Sequence, residues 1–368
     1  IIISKEIFME RDKRNSFKGF KIFLLIFLAI SLFFLKEDNQ RKLMAFLDSF
    51  VAKEKILKLK YSIKDIDNVE SVNFYDGNII KWTTNKITFL KTDGSLILEK
   101  KFNFTEPEIY YGEKYIYVFD KATGDIYSFD GKGNTINRYQ LNKEIYNIKE
   151  SKENFIYHIK IPNMEIISIL DKDKILVGNY SYEDKNILTY NTNKEGTKNL
   201  VGLLNLNEGI LKSQLDIYGI NNERLSSLDF QGEIALYLDF TQKEEIILLT
   251  DRNLYFINDG KIMWKKQFDL IKDIFLDKDR FYILYSNYLE TIDFTGRTLN
   301  KIGFGEDYKE ILSFRENILL YGDNHLVVIN DGKEILKSAE EIKKVFTSKD
   351  EILVFGPEDL KIYELSNK

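Results

Sequence analysis

The chain has 368 residues, of which 44% are hydrophobic and 14% aromatic, so it can bury a sizeable core and is not a disordered acidic protein. Its formal net charge is -5, and no nucleic-acid partner is expected because such a protein needs a clustered positive face. Cysteine is absent, which excludes disulfides, thiolate metal sites and cysteine nucleophiles.

The first predicted element is a hydrophobic segment near the N-terminus. Residues 22–35 carry no charge, and with a snorkelling Lys21 the stretch extends over residues 19–35. A membrane-spanning helix needs roughly 17–25 residues. We therefore predict a transmembrane signal anchor at 19–35 that inserts into the lipid bilayer. A cleaved signal peptide is disfavoured because residues 32–35 offer no small-x-small cleavage site, and a buried core helix would show a polar face.

The charges that flank this segment predict its orientation. Residues 1–21 contain six Lys or Arg against three acids, whereas residues 36–42 contain three against two. The positive-inside rule then places a basic tail, residues 1–18, in the cytoplasm. The rest of a single-pass cell-membrane protein would be extracytoplasmic.

Residues 36–53 are predicted to form a juxtamembrane helix or linker. Apolar residues recur there at helical spacing: Leu43, Met44, Phe46, Leu47, Phe50 and Val51. Such a helix would pack on the following domain or lie in the membrane interface. A partner-binding helix is the alternative.

The remainder, residues 54–368, shows a repeat of turn sequences between strand-like runs. The turn glycines are Gly94, Gly131, Gly209, Gly260, Gly296 and Gly332. Gly260, Gly296 and Gly332 are spaced 36 residues apart. In the long gap between Gly131 and Gly209, residues 171–174 can form the same kind of turn. An Asx-Gly pair between apolar runs is a strong hairpin signal, and each period divides into four short runs. This pattern predicts an all-β propeller of four-stranded blades.

The turn positions predict eight blades, with seven as the alternative because residues 163–192 are difficult to divide. The last unit, residues 344–363, contains only three runs. We predict that residues 56–63 supply its fourth, outer strand and close the ring. The long interval between Gly209 and Gly260 predicts an additional loop at 219–233, a candidate for function.

Two motifs resemble those of quinoprotein-like (PQQ-like) propellers. Residues 258–264 read Asn-Asp-Gly-Lys-Ile-Met-Trp, which is similar to their Gly-x-x-x-Trp repeat. Residues 120–127 resemble their Asp-x-x-Thr-Gly-x-x-Trp form with tyrosine in the tryptophan place. The layout of the chain also resembles a Firmicutes family with a short basic N-terminus, one membrane helix and a propeller. That resemblance implies a membrane-anchored, non-cytoplasmic propeller of unknown role.

No catalytic, cofactor-binding or metal-ligating residues are predicted, and no cofactor. PQQ enzymes need a full set of repeat tryptophans, and this chain has only Trp82 and Trp264, which we interpret as packing residues. His158 and His325 show no zinc-site spacing and are interpreted as structural or surface residues. No nucleophile-elbow motif and no Asp-x-Asp-x-Asp-Gly calcium loop occurs.

The sequence therefore favours a non-enzymatic binding or scaffold module with an envelope protein, or a glycan, as its partner. The second hypothesis is a cell-envelope hydrolase, which would need paired carboxylates in a pocket on the propeller axis. A transmembrane sensor is the third, disfavoured because the cytoplasmic tail is too short for a signalling domain.

Overall fold

The computed structural model describes residues 55–64, 66–206, 209 and 211–367. They lie in one compact unit, Lys55–Ser366, with Asn367 following it. The predicted tail at 1–18, anchor at 19–35 and helix or linker at 36–53 lie outside the described residues. Within the described part of the chain, no helix has the length and apolar character needed to cross a membrane.

The described residues form 32 strands. The first sixteen are β1 (Lys55–Ile63), β2 (Ser71–Tyr75), β3 (Asn78–Thr83), β4 (Lys86–Lys91), β5 (Leu96–Lys101), β6 (Pro107–Tyr111), β7 (Ile116–Asp120), β8 (Asp125–Phe129), β9 (Thr135–Gln140), β10 (Asn147–Ser151), β11 (Asn154–Ile161), β12 (Met164–Leu170), β13 (Leu176–Glu183), β14 (Asn186–Thr192), β15 (Asn199–Asn205) and β16 (Lys212–Tyr218). The others are β17 (Arg224–Gln231), β18 (Ala235–Phe240), β19 (Ile246–Thr250), β20 (Asn253–Asn258), β21 (Lys261–Gln267), β22 (Ile271–Leu276), β23 (Arg280–Tyr285), β24 (Tyr288–Asp293), β25 (Thr298–Gly303), β26 (Glu310–Phe314), β27 (Asn317–Tyr321), β28 (His325–Asn330), β29 (Lys333–Ala339), β30 (Lys344–Ser348), β31 (Glu351–Phe355) and β32 (Leu360–Asn367). A 3-10 turn at Ile220–Asn222 precedes β17.

These strands make eight four-stranded sheets, the blades of a propeller. Blades 1 to 7 each use four consecutive strands, from β2–β5 to β26–β29. Blade 8 contains β30, β31 and β32, and β1 is its fourth strand. The prediction of eight four-stranded blades is confirmed and the seven-blade alternative is wrong, because residues 163–192 divide between β12–β13 of blade 3 and β14 of blade 4.

Blade 4 departs from the repeat, and the prediction of a loop at 219–233 is wrong. Gly209 lies between β15 and β16, the second and third strands, rather than in the outer hairpin that the other turn glycines occupy. Most of the predicted loop at 219–233 is the outer strand β17, Arg224–Gln231. The outer turn here uses Asn221 and Asn222, which adopt φ of 60° and 61° without glycine. The long interval in the repeat therefore reflects a turn in a different hairpin and longer strands.

The hydrophobic core lies between the blades. Each of the eight apolar clusters among the described residues joins two successive blades. In one of them Leu249 and Phe256 of blade 5 pack with Phe281 and Ile292 of blade 6. Another joins blade 8 to blade 1, so the ring is closed by apolar packing as well as by β1.

The outer turns interlock neighbouring blades. The side chain of Trp264 in blade 5 lies over Gly296, the turn glycine of blade 6, where an added Cβ would be 3.0 Å from the indole. In the outer turn of the following blade, Leu98 lies over Gly133, Ser226 over Gly260 and Asn300 over Gly332 in the same way. Leu98, Trp264 and Asn300 also follow the turn glycine of their own blade closely, which explains why a glycine recurs shortly before a packing residue in the sequence.

Candidate functional site

The first strands of the blades surround the propeller axis. Side chains on these strands form hydrogen bonds with the next blade. The pairs are Ser71 with the Tyr111 hydroxyl, Lys149 with the Tyr190 carbonyl, Asn191 with the Leu238 carbonyl, Asp273 with the Ile311 N–H, and Lys344 with Glu310. A polar inner ring therefore connects the blades, in contrast to the apolar clusters further out.

A cavity of about 310 Å³ opens on this axis between blades 2 and 5. Its wall is made by the first strands of four successive blades and by the turn that follows β6. The lining residues are Tyr110, Tyr111, Gly112, Glu113, Lys149, Glu150, Ser151, Asn191, Tyr237, Leu238 and Asp239. Because strand residues supply most of the wall, its polar groups are held on a rigid frame.

Glu150 holds the turn at the cavity mouth. Its Oε2 accepts hydrogen bonds from the backbone N–H groups of Lys114 and Tyr115 at 3.0 and 3.2 Å. A Cβ on Gly112 would lie 2.9 Å from the Tyr115 carbonyl oxygen and would clash with the same carboxylate, so the close approach of backbone favours glycine here. Burial raises the pKa of Glu150, and the two backbone donors oppose that rise.

Asp239 is fixed by three donors on the opposite side of the cavity. The Tyr237 hydroxyl donates to it at 2.8 Å, the Phe240 N–H at 2.8 Å and the Asn191 side-chain amide at 3.1 Å. Burial, and then the negative charge of Asp239, raise the pKa of Tyr237. Burial also raises the pKa of Tyr110 to about 12. Both tyrosines therefore keep their protons at neutral pH.

Lys149 supplies the positive charge of the cavity. It is half-buried, and its ammonium donates to the Tyr190 carbonyl at 2.7 Å. Burial lowers its pKa, whereas the carboxylates of Asp239 and Glu113 act in the opposite direction. Glu113 is exposed at the mouth and has no hydrogen-bond or ion-pair partner within the described part of the chain. The cavity thus presents one ammonium, three protonated phenols and one solvated carboxylate to whatever enters.

The histidines and tryptophans singled out in the sequence lie elsewhere. His158 is buried, its Nε2 lies 3.1 Å from Glu165 Oε2, and burial lowers its pKa. The Trp264 indole N–H donates to the Phe294 carbonyl at 2.9 Å and the ring stacks on Phe256. Trp82 is buried in blade 1. Among residues 55–367 as described, no group of three His, Cys, Asp or Glu is placed to hold a metal ion.

Sequence reasoning named none of the cavity residues. A signal was present, since the first strands carry polar residues such as Lys149, Asn191 and Asp239. It could be used only once the innermost strand of each blade was known.

Comparison with solved structures shows the propeller fold. BamB from Moraxella catarrhalis aligns with 11% identity and a TM-score of 0.54, covering 84% of this chain and 100% of that one. Sqt1 from Saccharomyces cerevisiae aligns with 9% identity and a TM-score of 0.60, covering 85% and 100%. The C-terminal WD40 domain of Sif2 aligns with 11% identity and a TM-score of 0.62, covering 84% and 99%. No curated protein matches the chain. Residues 52–365 match the profile of DUF5711, a family of unknown function, and the chain belongs to that family.

Proposed function

We propose that this protein is a membrane-anchored, extracytoplasmic scaffold whose propeller binds a protein partner at the mouth of the axial cavity. The observation that carries the proposal is the cavity itself, in which strands of four blades hold unlike polar groups on a rigid frame. Loops on a rigid scaffold are common sites of recognition. A glycan is the alternative partner, which the exposed mouth and the cavity phenols would also suit.

The support for membrane anchoring and for its orientation comes from the sequence. The uncharged stretch within 19–35 and the excess of basic residues before it support a single span with a cytoplasmic N-terminus. The resemblance to an anchored Firmicutes family agrees with this arrangement. Alkaline extraction of membranes and protease protection of sealed vesicles would test it, since a soluble or protease-shielded propeller contradicts the proposal.

The binding surface can be tested by photocrosslinking in cells. A photoreactive amino acid replaces Glu113 at the cavity mouth in the full-length chain, and a matched variant carries it at Leu299, an exposed position on the outer strand of blade 6. We expect a discrete protein adduct from position 113 and none from position 299. Adducts of equal yield at both positions, or none at either, would contradict a partner site at the cavity.

The hydrolase alternative stays a prediction. Of the cavity carboxylates, Glu150 and Asp239 each accept hydrogen bonds from the wall, which leaves Glu113 as the solvated one. An envelope-polymer hydrolysis that Glu113→Gln abolished would favour the hydrolase over the scaffold.

A further inference from the structure

Lys149 has hydrogen-bonding capacity that the fold does not use. An ammonium carries three N–H donors. Within the described part of the chain, its hydrogen bonding is limited to the Tyr190 carbonyl, and the ring of Tyr190 lies 5.7 Å away. Two donors are therefore left without an acceptor among the described residues, on a side chain that lines the cavity.

The carboxylates around the cavity do not neutralise this ammonium by contact. Asp239 and Glu113 act on Lys149 through space, and none of the described carboxylates lies within the 4.0 Å of an ion pair with it. Asp239 is already occupied by its three donors. Glu150 is likewise committed to the turn after β6. Asp239 and Glu150 are thus satisfied by fixed dipoles and Glu113 is solvated at the mouth, whereas the ammonium keeps unused donors.

A second donor lines the same cavity. The Tyr110 hydroxyl accepts a hydrogen bond from the Glu150 N–H at 3.3 Å, and its own proton has no acceptor in the described residues. Because burial raises its pKa to about 12, this proton stays in place at neutral pH. An ammonium with two unused N–H groups and a phenol with an unused O–H, in the wall of one cavity, are donors of the kind that a carboxylate accepts from.

We propose that the axial cavity binds a carboxylate, held by the Lys149 ammonium and the Tyr110 hydroxyl. The inference rests on the proposed function, since the carboxylate is the group that the protein partner inserts. Cavities that take whole small molecules measure roughly 300–1,000 Å³, and this one, at about 310 Å³, is at the lower limit. It suits a single acidic side chain or a C-terminal residue.

The chemistry can be tested with four small probes and the full-length protein in detergent micelles. N-acetyl-alanine presents a C-terminal carboxylate and N-acetyl-aspartic acid α-amide presents a side-chain carboxylate. N-acetyl-alanine amide lacks the charge, and N-acetyl-lysine amide carries the opposite one. Saturation-transfer NMR, which detects weak ligands, measures each probe. We expect binding of one or both carboxylates and about tenfold weaker binding of the neutral amide. The carboxylate probe that binds more tightly shows whether the partner inserts a C-terminus or an acidic side chain.

Variants of Lys149 test whether this side chain binds the carboxylate. Lys149→Met should weaken carboxylate binding about tenfold, and Lys149→Arg should retain most of it because the charge and donors remain. Lys172→Met, at an exposed lysine in the same blade, is the matched control and should bind normally. Melting temperatures close to that of the wild type establish that the variants are folded.

The inference is overturned if neither carboxylate binds, if Lys149→Met binds as well as the wild type, or if the lysine amide binds most strongly. Its failure is distinguishable from failure of the scaffold proposal. A crosslinked partner at position 113 without carboxylate binding overturns the inference alone. Carboxylate binding without any crosslinked partner overturns the scaffold and leaves a small-molecule site.

Discussion

Replacement of Gly296 by alanine tests the interlock between blades 5 and 6. Gly296 has φ of +85°, and an added Cβ would be 3.0 Å from Trp264 Cδ2. The indole cannot move away freely, because its N–H donates to the Phe294 carbonyl at 2.9 Å and its ring stacks on Phe256 with centroids 5.5 Å apart. Alanine therefore meets both backbone strain and a fixed neighbour.

The two costs can be separated with a matched glycine. A left-handed conformation costs a non-glycine residue about 1–2 kcal/mol, and overpacking a fixed site typically costs about 1–3 kcal/mol. Gly296→Ala should therefore destabilise the propeller by about 2–5 kcal/mol. Gly77 has φ of +74° but no heavy atom within 4 Å of an added Cβ. Gly77→Ala should carry only the backbone cost, about 1–2 kcal/mol.

Urea unfolding of the full-length protein in micelles, followed by circular dichroism, measures the difference. We expect the midpoint to fall further for Gly296→Ala than for Gly77→Ala. In a Trp264→Leu background, the additional loss at Gly296 should disappear, because the two changes share one contact. Equal losses at the two glycines, or an additional loss that persists without the indole, would refute the interlock.

Three further changes have defined outcomes. Tyr308→Phe should leave stability unchanged or raise it by up to about 1–3 kcal/mol, because the buried hydroxyl has no partner among the described residues, and a lowered melting temperature would contradict this. Burial lowers the pKa of His158 against the pull of Glu165, so its contribution to stability is complete above pH about 6.5 and falls as the pH drops towards its folded-state pKa. His158→Gln should flatten that part of the pH profile of unfolding, and an unchanged profile would assign the dependence elsewhere. Gly112→Ala should displace the Glu150 carboxylate and weaken carboxylate binding at the cavity with little change in the melting of the remaining blades, which saturation-transfer NMR and calorimetry would check.

The sequence predicts the blade number because most outer turns need residues that adopt a positive φ, and these residues are recognisable in the sequence. Asx-Gly pairs such as Asp259–Gly260 and Asp331–Gly332 adopt positive φ at both residues, which few other pairs do readily. Blades 3 and 4 depart from the rule. Residues 171–174 make the outer turn of blade 3 without glycine, asparagines make that of blade 4, and Gly209 serves a different hairpin. A glycine-based count identifies a turn but not the pair of strands that it connects.

The cavity could not be predicted in the same way. Lys149, Asn191 and Asp239 each lie in a different blade, and nothing in their local sequence indicates that they share one wall. Their proximity is a property of ring closure, which brings first strands together from distant parts of the chain. The sequence is sufficient to predict the propeller. Prediction of the cavity would also require knowledge of which strand of each blade is innermost.

The polar groups of the cavity wall differ in what they contribute. Asn191 accepts from the Ser151 hydroxyl in blade 3 and donates to the Leu238 carbonyl and Asp239 in blade 5, so it connects three blades. Such a group stabilises the ring, and its loss would disturb fold and site together. Lys149 makes one bond across a blade boundary and keeps two donors free. Because of this difference, we expect Lys149 to be the position at which carboxylate binding is lost while the propeller stays intact.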